Sequence, residues 1–100
     1  MVIKWTSSAE KDLEIIYKFY LKTSNKKVAN KIINEIVTAT DSLNLGLYLG
    51  QIEPLLSNYS EGYRYLISNH TKIIYTINED YILITHVFDT RRRPTKLKKR

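Results

Sequence analysis

Residues 62–89 read GYRYLISNHTKIIYTINEDYILITHVFD, and their pattern of apolar runs and short breaks predicts most of the sheet. Three runs rich in β-branched and aromatic residues, at 62–68, 71–77 and 81–89, each have the length of one strand. Asn69 and His70 separate the first two runs, and residues 78–80 separate the last two. Connections this short join antiparallel neighbours, so the sequence predicts three consecutive antiparallel strands.

The last of these runs is apolar on both faces. In a regular strand Ile82, Ile84, His86 and Phe88 would share one face, and the alternate residues would share the other. A strand of this kind is expected inside the sheet, with helices covering one side. Pro94 lacks a backbone N–H, so the sheet should end before it.

The first half of the chain predicts one strand and two helices. Residues 2–6 alternate like a short strand, and Ser7 with Glu10 has the spacing of a capping box. Apolar residues at helical spacing then predict a helix up to a break at 23–25 and a second helix over about 27–45, ended by Gly46. The two stripes consist of Leu13, Ile16, Tyr17 and Tyr20, and of Ala29, Ile32, Ile33, Ile36, Thr40 and Leu43.

These elements together predict an α+β fold of order β-α-α-β-β-β. The break between the helices is short, so they should form an antiparallel hairpin that packs on a small antiparallel sheet. Residues 47–60, with Gly50, Pro54 and Asn58, are expected to be a connecting loop.

Charge divides the chain into a body and a tail. Its 100 residues include 16 basic and 10 acidic ones, for a net charge of +6, and seven of the last ten residues are Lys or Arg. Residues 1–90 alone have a net charge of −1. We therefore expect one compact domain at 1–90 and a basic tail at 91–100, which should attract an anionic partner.

Several classes of protein are disfavoured by composition. The chain has no cysteine, which excludes disulfides and thiolate metal sites, and no apolar run approaches the roughly 20 residues of a membrane span. The first residues lack the apolar region of a secretory signal. We expect a cytoplasmic protein without a membrane partner. No metal-ligand spacing or glycine-rich phosphate loop is visible, so neither a metal nor a cofactor is expected.

The predicted order of elements and three local stretches resemble the RelE/ParE superfamily of toxins from bacterial type II toxin–antitoxin modules. The stretches are Glu53-Pro-Leu55, the strand pair at 63–67 and 72–75, and the segment 87–94. The resemblance implies a growth-inhibiting toxin, linked to plasmid stabilisation, that an acidic antitoxin holds inactive. RelE-like members cleave mRNA on the ribosome, whereas ParE-like members poison DNA gyrase and catalyse no reaction themselves.

A metal-free ribonuclease needs a base for the ribose 2′-OH, a cation for the phosphorane and an acid for the leaving oxygen. The resemblance implies Glu53 as the base and Arg91 as a phosphate contact. It also places Lys72 where RelE-like enzymes usually carry an arginine, although lysine lacks arginine's bidentate fork. The tail has no tyrosine or histidine to act as the acid, so His86 is the candidate that remains.

The sequence leaves open whether the protein is an enzyme. The missing acid favours a ParE-like toxin that targets gyrase, with a ribosome-dependent mRNA endoribonuclease of the RelE/YoeB type as the alternative. A non-toxic nucleic-acid-binding module is a third possibility. In each case the cations expected to meet the target or a nucleic acid are Arg64, Lys72, Arg91, Arg92 and Arg93.

Overall fold

A computed structural model describes residues 1–45 and 50–91. Two helices and five strands follow one another in the order β-α-α-β-β-β-β. They are β1 (Val2–Trp5), α1 (Ser7–Thr23), α2 (Lys26–Asp41), β2 (Gln51–Ile52), β3 (Arg64–Ser68), β4 (Thr71–Ile77) and β5 (Tyr81–Asp89). Short 3-10 turns at Ser42–Asn44 and Pro54–Leu56 follow α2 and β2.

The five strands form one sheet in the order β1-β5-β4-β3-β2. The three strands predicted from residues 62–89 pair antiparallel as expected, and the α+β class with a helical hairpin on a sheet is confirmed. Two details differ from the prediction. The first strand pairs with β5 in parallel, which makes the sheet mixed, and a fifth strand, β2, pairs with β3 inside the predicted loop.

Side-chain caps set the helix starts. The hydroxyl of Thr6, rather than that of Ser7, accepts from the Ala9 N–H at 3.0 Å, so α1 begins one residue earlier than the predicted capping box implies. Asn25 caps α2 in the same way at Val28. The second helix ends at Asp41 and passes into the 3-10 turn, while the predicted stop at Gly46 lies outside the described residues. Neither helix, among the residues described, is long and apolar enough to cross a membrane.

The main core lies between the helical hairpin and one face of the sheet. Its buried residues come from both predicted helix stripes and from alternate positions of β4 and β5. They are Ala9, Ile16, Ile36, Leu43, Ile73, Tyr75, Ile82, Ile84 and Val87. Burial of these side chains drives the hairpin onto the sheet, because apolar surface removed from water is the dominant favourable term in folding.

A β-bulge at Thr85 changes which side chains of β5 face the helices. Ile74 pairs with His86, but its neighbour Tyr75 pairs with Ile84, so Thr85 has no partner across the strands. One extra residue reverses the alternation beyond it. The prediction that His86 and Phe88 share a face with Ile82 and Ile84 is therefore wrong.

The opposite side of the sheet, which we call the outer face, carries a second and smaller cluster. Leu56, Tyr63 and Ile74 are its buried members, and Tyr65 and Phe88 pack against them. The 3-10 turn that contains Leu56 covers part of this face. The sheet is thus packed on both sides where β3, β4 and β5 meet, although the helices cover only one of them.

A carboxylate of α1 completes the hydrogen bonding of β5. The parallel pairing with β1 ends at Trp5 and Ile84, and beyond this point no strand among the described residues pairs with β5 on that side. There the Val87 N–H donates to the Asp12 carboxylate at 3.0 Å. This bond ties the first turns of α1 to the strand that carries the C-terminal segment.

We predict that Asp12→Ala lowers the free energy of unfolding by about 1–3 kcal/mol, because the Val87 N–H loses its acceptor. Asp12→Asn keeps an oxygen at this position and should lose less. Urea denaturation measures both, with the exposed neighbour variant Lys11→Ala as the control that should stay within about 0.5 kcal/mol of wild type. An unchanged stability of Asp12→Ala would show that the bond contributes nothing.

Candidate functional site

Glu53 lies on the outer face, between β2 and the following 3-10 turn, and has no exposed surface. Its backbone N–H donates to the Tyr63 carbonyl at 2.8 Å, which continues the pairing of β2 with β3. One carboxylate oxygen, Oε1, accepts from the Leu55 N–H at 3.1 Å and caps the turn. Pro54 begins that turn without a donor of its own, as suits a first helical position.

The second oxygen of Glu53 forms an ion pair. Lys72 Nζ lies 2.5 Å from Glu53 Oε2, and the lysine side chain is 16% exposed. The same ammonium sits 4.2 Å from the centroid of the Tyr65 ring, and the Tyr65 hydroxyl donates to Gln51 at 3.0 Å. The carboxylate is therefore enclosed and engaged at both oxygens, an arrangement that holds β2 and the turn against β4.

His86 is on the same face but is not presented to solvent. It is 1% exposed, its Nδ1 lies 2.7 Å from the Thr85 hydroxyl, and its ring meets the edge of Tyr63 at a centroid distance of 6.2 Å. A general acid has to come within hydrogen-bond reach of the leaving oxygen. Buried among these side chains, His86 serves the packing of the bulge.

Arg64 lies on the helix-facing side of the sheet, opposite Lys72. It is the cross-strand partner of Tyr75, and its Nη1 donates to the Gly50 carbonyl at 3.0 Å. The Gly50 N–H donates to the Tyr75 hydroxyl at 3.0 Å, and a Cβ on Gly50 would lie 2.4 Å from that oxygen. Glycine is required here by close approach, and Arg64 anchors the chain that enters β2.

Arg91 is held in place at the end of β5 by what we call the Arg91 clasp, formed by Asp89, Arg91 and Tyr20. Arg91 Nε lies 3.0 Å from Asp89 Oδ1, and Nη2 lies 2.6 Å from Oδ2. Nη2 also donates to the Tyr20 hydroxyl of α1 at 3.0 Å. The guanidinium thus bridges the last strand and the first helix.

The clasp shifts the ionisation of both partners. Hydrogen bonds from the Arg91 side chain lower the pKa of Asp89 against the opposing effect of burial, and the Arg91 N–H and the charges of Arg91 and His70 lower it further. The hydrogen bond to Asp89 raises the pKa of Arg91. Both groups are therefore charged at neutral pH.

The structure brings together only part of the set expected from the sequence. Glu53 and Lys72 are in contact and His86 is on their face, whereas Arg64 and Arg91 reach the helix-facing side and α1. The predictions for Arg92 and Arg93 lie outside the described residues. No group of three or more His, Asp and Glu side chains that could hold a metal occurs within residues 1–45 and 50–91.

Several residues of this region were not singled out from the sequence. The helical spacing predicts Tyr20 as a core residue, and its contact with Arg91 joins positions 71 residues apart. Gln51 lies in the predicted loop, and its bond to Tyr65 depends on the two-residue strand β2. The pairing of Asp89 with Arg91 could have been predicted from the sequence, since an acid two residues before an arginine can form an ion pair with that arginine at the end of a strand.

We predict that Lys72→Met lowers the free energy of unfolding by about 3–5 kcal/mol, because it leaves the Glu53 carboxylate buried without its cation. Glu53→Gln retains an acceptor for the Leu55 N–H and should cost less. The double variant should be more stable than Lys72→Met alone. Urea denaturation of wild type, the two single variants and the double variant gives the coupling energy between the two side chains. If the stability changes of the single variants simply add up in the double variant, the two charges do not stabilise each other.

The lowered pKa of Asp89 predicts a pH dependence. Its pairing with Arg91 stabilises the folded state above the unfolded pKa of about 3.9, and this contribution disappears as the pH falls through the lower folded value. Wild type should therefore exceed Arg91→Gln in stability at neutral pH and converge with it in acid. Carboxyl NMR should show a higher pKa of Asp89 in Arg91→Gln, and an identical pKa in both proteins would rule out the clasp.

Comparisons with known proteins identify the family. The family described as ParE toxin of type II toxin-antitoxin system, parDE, matches residues 3–94. A solved structure titled "Chromosomal ParDE TA system from P. aeruginosa" has a similar fold, with a TM-score of 0.74 and 24% sequence identity over 89% of this chain and 95% of that chain. No curated protein matches. The match over nearly the whole chain shows that this protein belongs to the ParE toxin family of type II toxin–antitoxin systems.

Proposed function

We propose that this protein arrests growth by poisoning DNA gyrase and that it cleaves no RNA. The observation that carries the proposal is the family match over residues 3–94, which favours a ParE-like rather than a RelE-like activity. A toxin of this kind acts by binding its target, so it needs a presented surface and not an assembled catalytic centre.

The state of Glu53 supports this choice. A general base must reach the proton that it abstracts, within about 3 Å or through one water. The Glu53 carboxylate is fully buried and is engaged by the Leu55 N–H and by Lys72. A ribose 2′-OH could reach it only if the segment around the 3-10 turn moved away from the sheet.

The proposed partner in the cell is an acidic antitoxin. The structural neighbour is titled as a ParDE toxin–antitoxin system, and this chain has a net charge of +6 that is concentrated in its last ten residues. An acidic segment that becomes ordered on binding would neutralise this charge. In this proposal the antitoxin covers the same basic segment that meets the target.

The two toxin activities give opposite results in two assays. Purified protein added to gyrase and supercoiled DNA should stabilise broken gyrase–DNA complexes, and the same protein added to programmed ribosomes should leave the mRNA intact. Cleavage of mRNA in the ribosomal A site, lost in Glu53→Ala, would overturn the proposal. So would unimpaired gyrase at protein concentrations that stop growth.

The basic tail should carry most of the toxicity. Truncation after Arg91 removes six basic residues, which brings the formal net charge from +6 to 0, and retains the Arg91 clasp. We expect the shortened protein to melt near the wild-type temperature but to stabilise far fewer gyrase–DNA breaks. A matched variant keeps the full length and replaces the same six residues with glutamine. Full activity of either protein would show that the charge is dispensable.

A further inference from the structure

Basic residues are also concentrated at one end of the helical hairpin. Residues 15–34 contain five lysines and no acid, although the whole body at 1–90 is nearly neutral. Within residues 1–45 and 50–91, Lys18 is paired with Glu14, while the other four lysines form no ion pair and are exposed. These four are Lys22, Lys26, Lys27 and Lys31.

One face of α2 presents hydrogen-bond donors in a regular row, which we call the α2 donor face. The row consists of Lys27, Asn30, Lys31 and Asn34, which recur at helical spacing. These residues line an open cleft together with Glu35 and Thr38 of α2, Ser68 at the end of β3, and Asn69. Side chains three and four residues apart on a helix are neighbours, so the ammonium and amide groups lie side by side. Glu35, the one acid among the described residues that line this cleft, accepts a hydrogen bond from the Asn69 amide, which engages one of its carboxylate oxygens.

Thr90 and Arg91, which follow β5, lie beside this face. The Thr90 N–H donates to the His70 carbonyl at 2.7 Å, and Arg91 reaches the Tyr20 hydroxyl in the last turn of α1. A second, narrow cleft is lined by Tyr20, Glu35, Ser68 and Asn69 among others, and it adjoins the cleft of the α2 donor face. Arg91 and the lysines of α2 are therefore at the same end of the molecule.

We infer that the α2 donor face and Arg91 form one surface that binds the phosphate backbone of duplex DNA. Phosphate oxygens accept from lysine, arginine and asparagine side chains without regard to sequence. A row of such donors suits a regular array of phosphates. The biological role of this surface rests on the proposed function, since DNA held by gyrase would then be contacted together with the enzyme.

Duplex binding by the full chain tests this surface without gyrase, so its failure and that of the gyrase proposal are separate results. The probe is a fluorescently labelled DNA duplex, titrated by anisotropy at several salt concentrations. Lys27→Gln/Lys31→Gln should weaken binding and lower the salt slope by about 1 for each lysine that contacts phosphate. The control pair Lys4→Gln/Lys11→Gln removes the same charge elsewhere. Tyr20→Phe, which releases one bond of Arg91, should have a smaller effect in the same direction.

Three results would overturn the inference. The first is an equal loss of affinity in both lysine pairs, because the effect would then be one of net charge. The second is an unchanged salt slope in Lys27→Gln/Lys31→Gln. The third is weaker binding of this variant to polyglutamate but not to DNA, which would assign the face to an acidic polypeptide. Circular dichroism should show the same fold for all variants, since the four substituted lysines are exposed and Tyr20→Phe keeps the aromatic ring that packs against the core.

Discussion

A carboxylate with no exposed surface requires a cation beside it, and this requirement fixes the outer face of the sheet. Glu53 satisfies it with Lys72 of β4, while its other oxygen caps the 3-10 turn and its backbone continues the pairing with β3. Moving the turn away from the sheet would break this ion pair and the packing of Leu56. The position of Leu56 over the sheet depends on the same contact. Glu53, the candidate for a catalytic base, thus has both carboxylate oxygens and its backbone N–H engaged in contacts that hold the fold together.

The bulge at Thr85 lets a single strand serve both sides of the sheet. Before it Ile82 and Ile84 pack under the helices, and after it His86 and Phe88 join the outer face while Val87 returns to the main core. The strand then ends at Asp89, where the Arg91 clasp fixes the start of the basic segment against α1. Packing in the sheet and the placement of Arg91 are therefore linked through β5.

Much of this architecture could be predicted from the sequence. The helix stripes, the strand runs at 71–77 and 81–89 and the short connections between strands rest on periodicity and loop length, which are local properties. The strand β2 could not be predicted, because two residues are too few to show a periodic pattern. The bulge could not be predicted either, because it depends on the register of β4 against β5. Nor could the pairing of Glu53 with Lys72 be predicted, because it depends on contacts between residues far apart in the sequence. Both residues were named as site candidates, but only the folded chain shows that they neutralise each other.

The central claim is that Glu53 stabilises the fold and has no part in the toxic activity. Expression of the double variant Glu53→Gln/Lys72→Met at wild-type level, with folding verified by circular dichroism, tests it most directly. We predict that cells expressing this variant stop growing as they do with wild type, since the two charged groups contact each other within the fold. A folded double variant that no longer arrests growth would contradict the account.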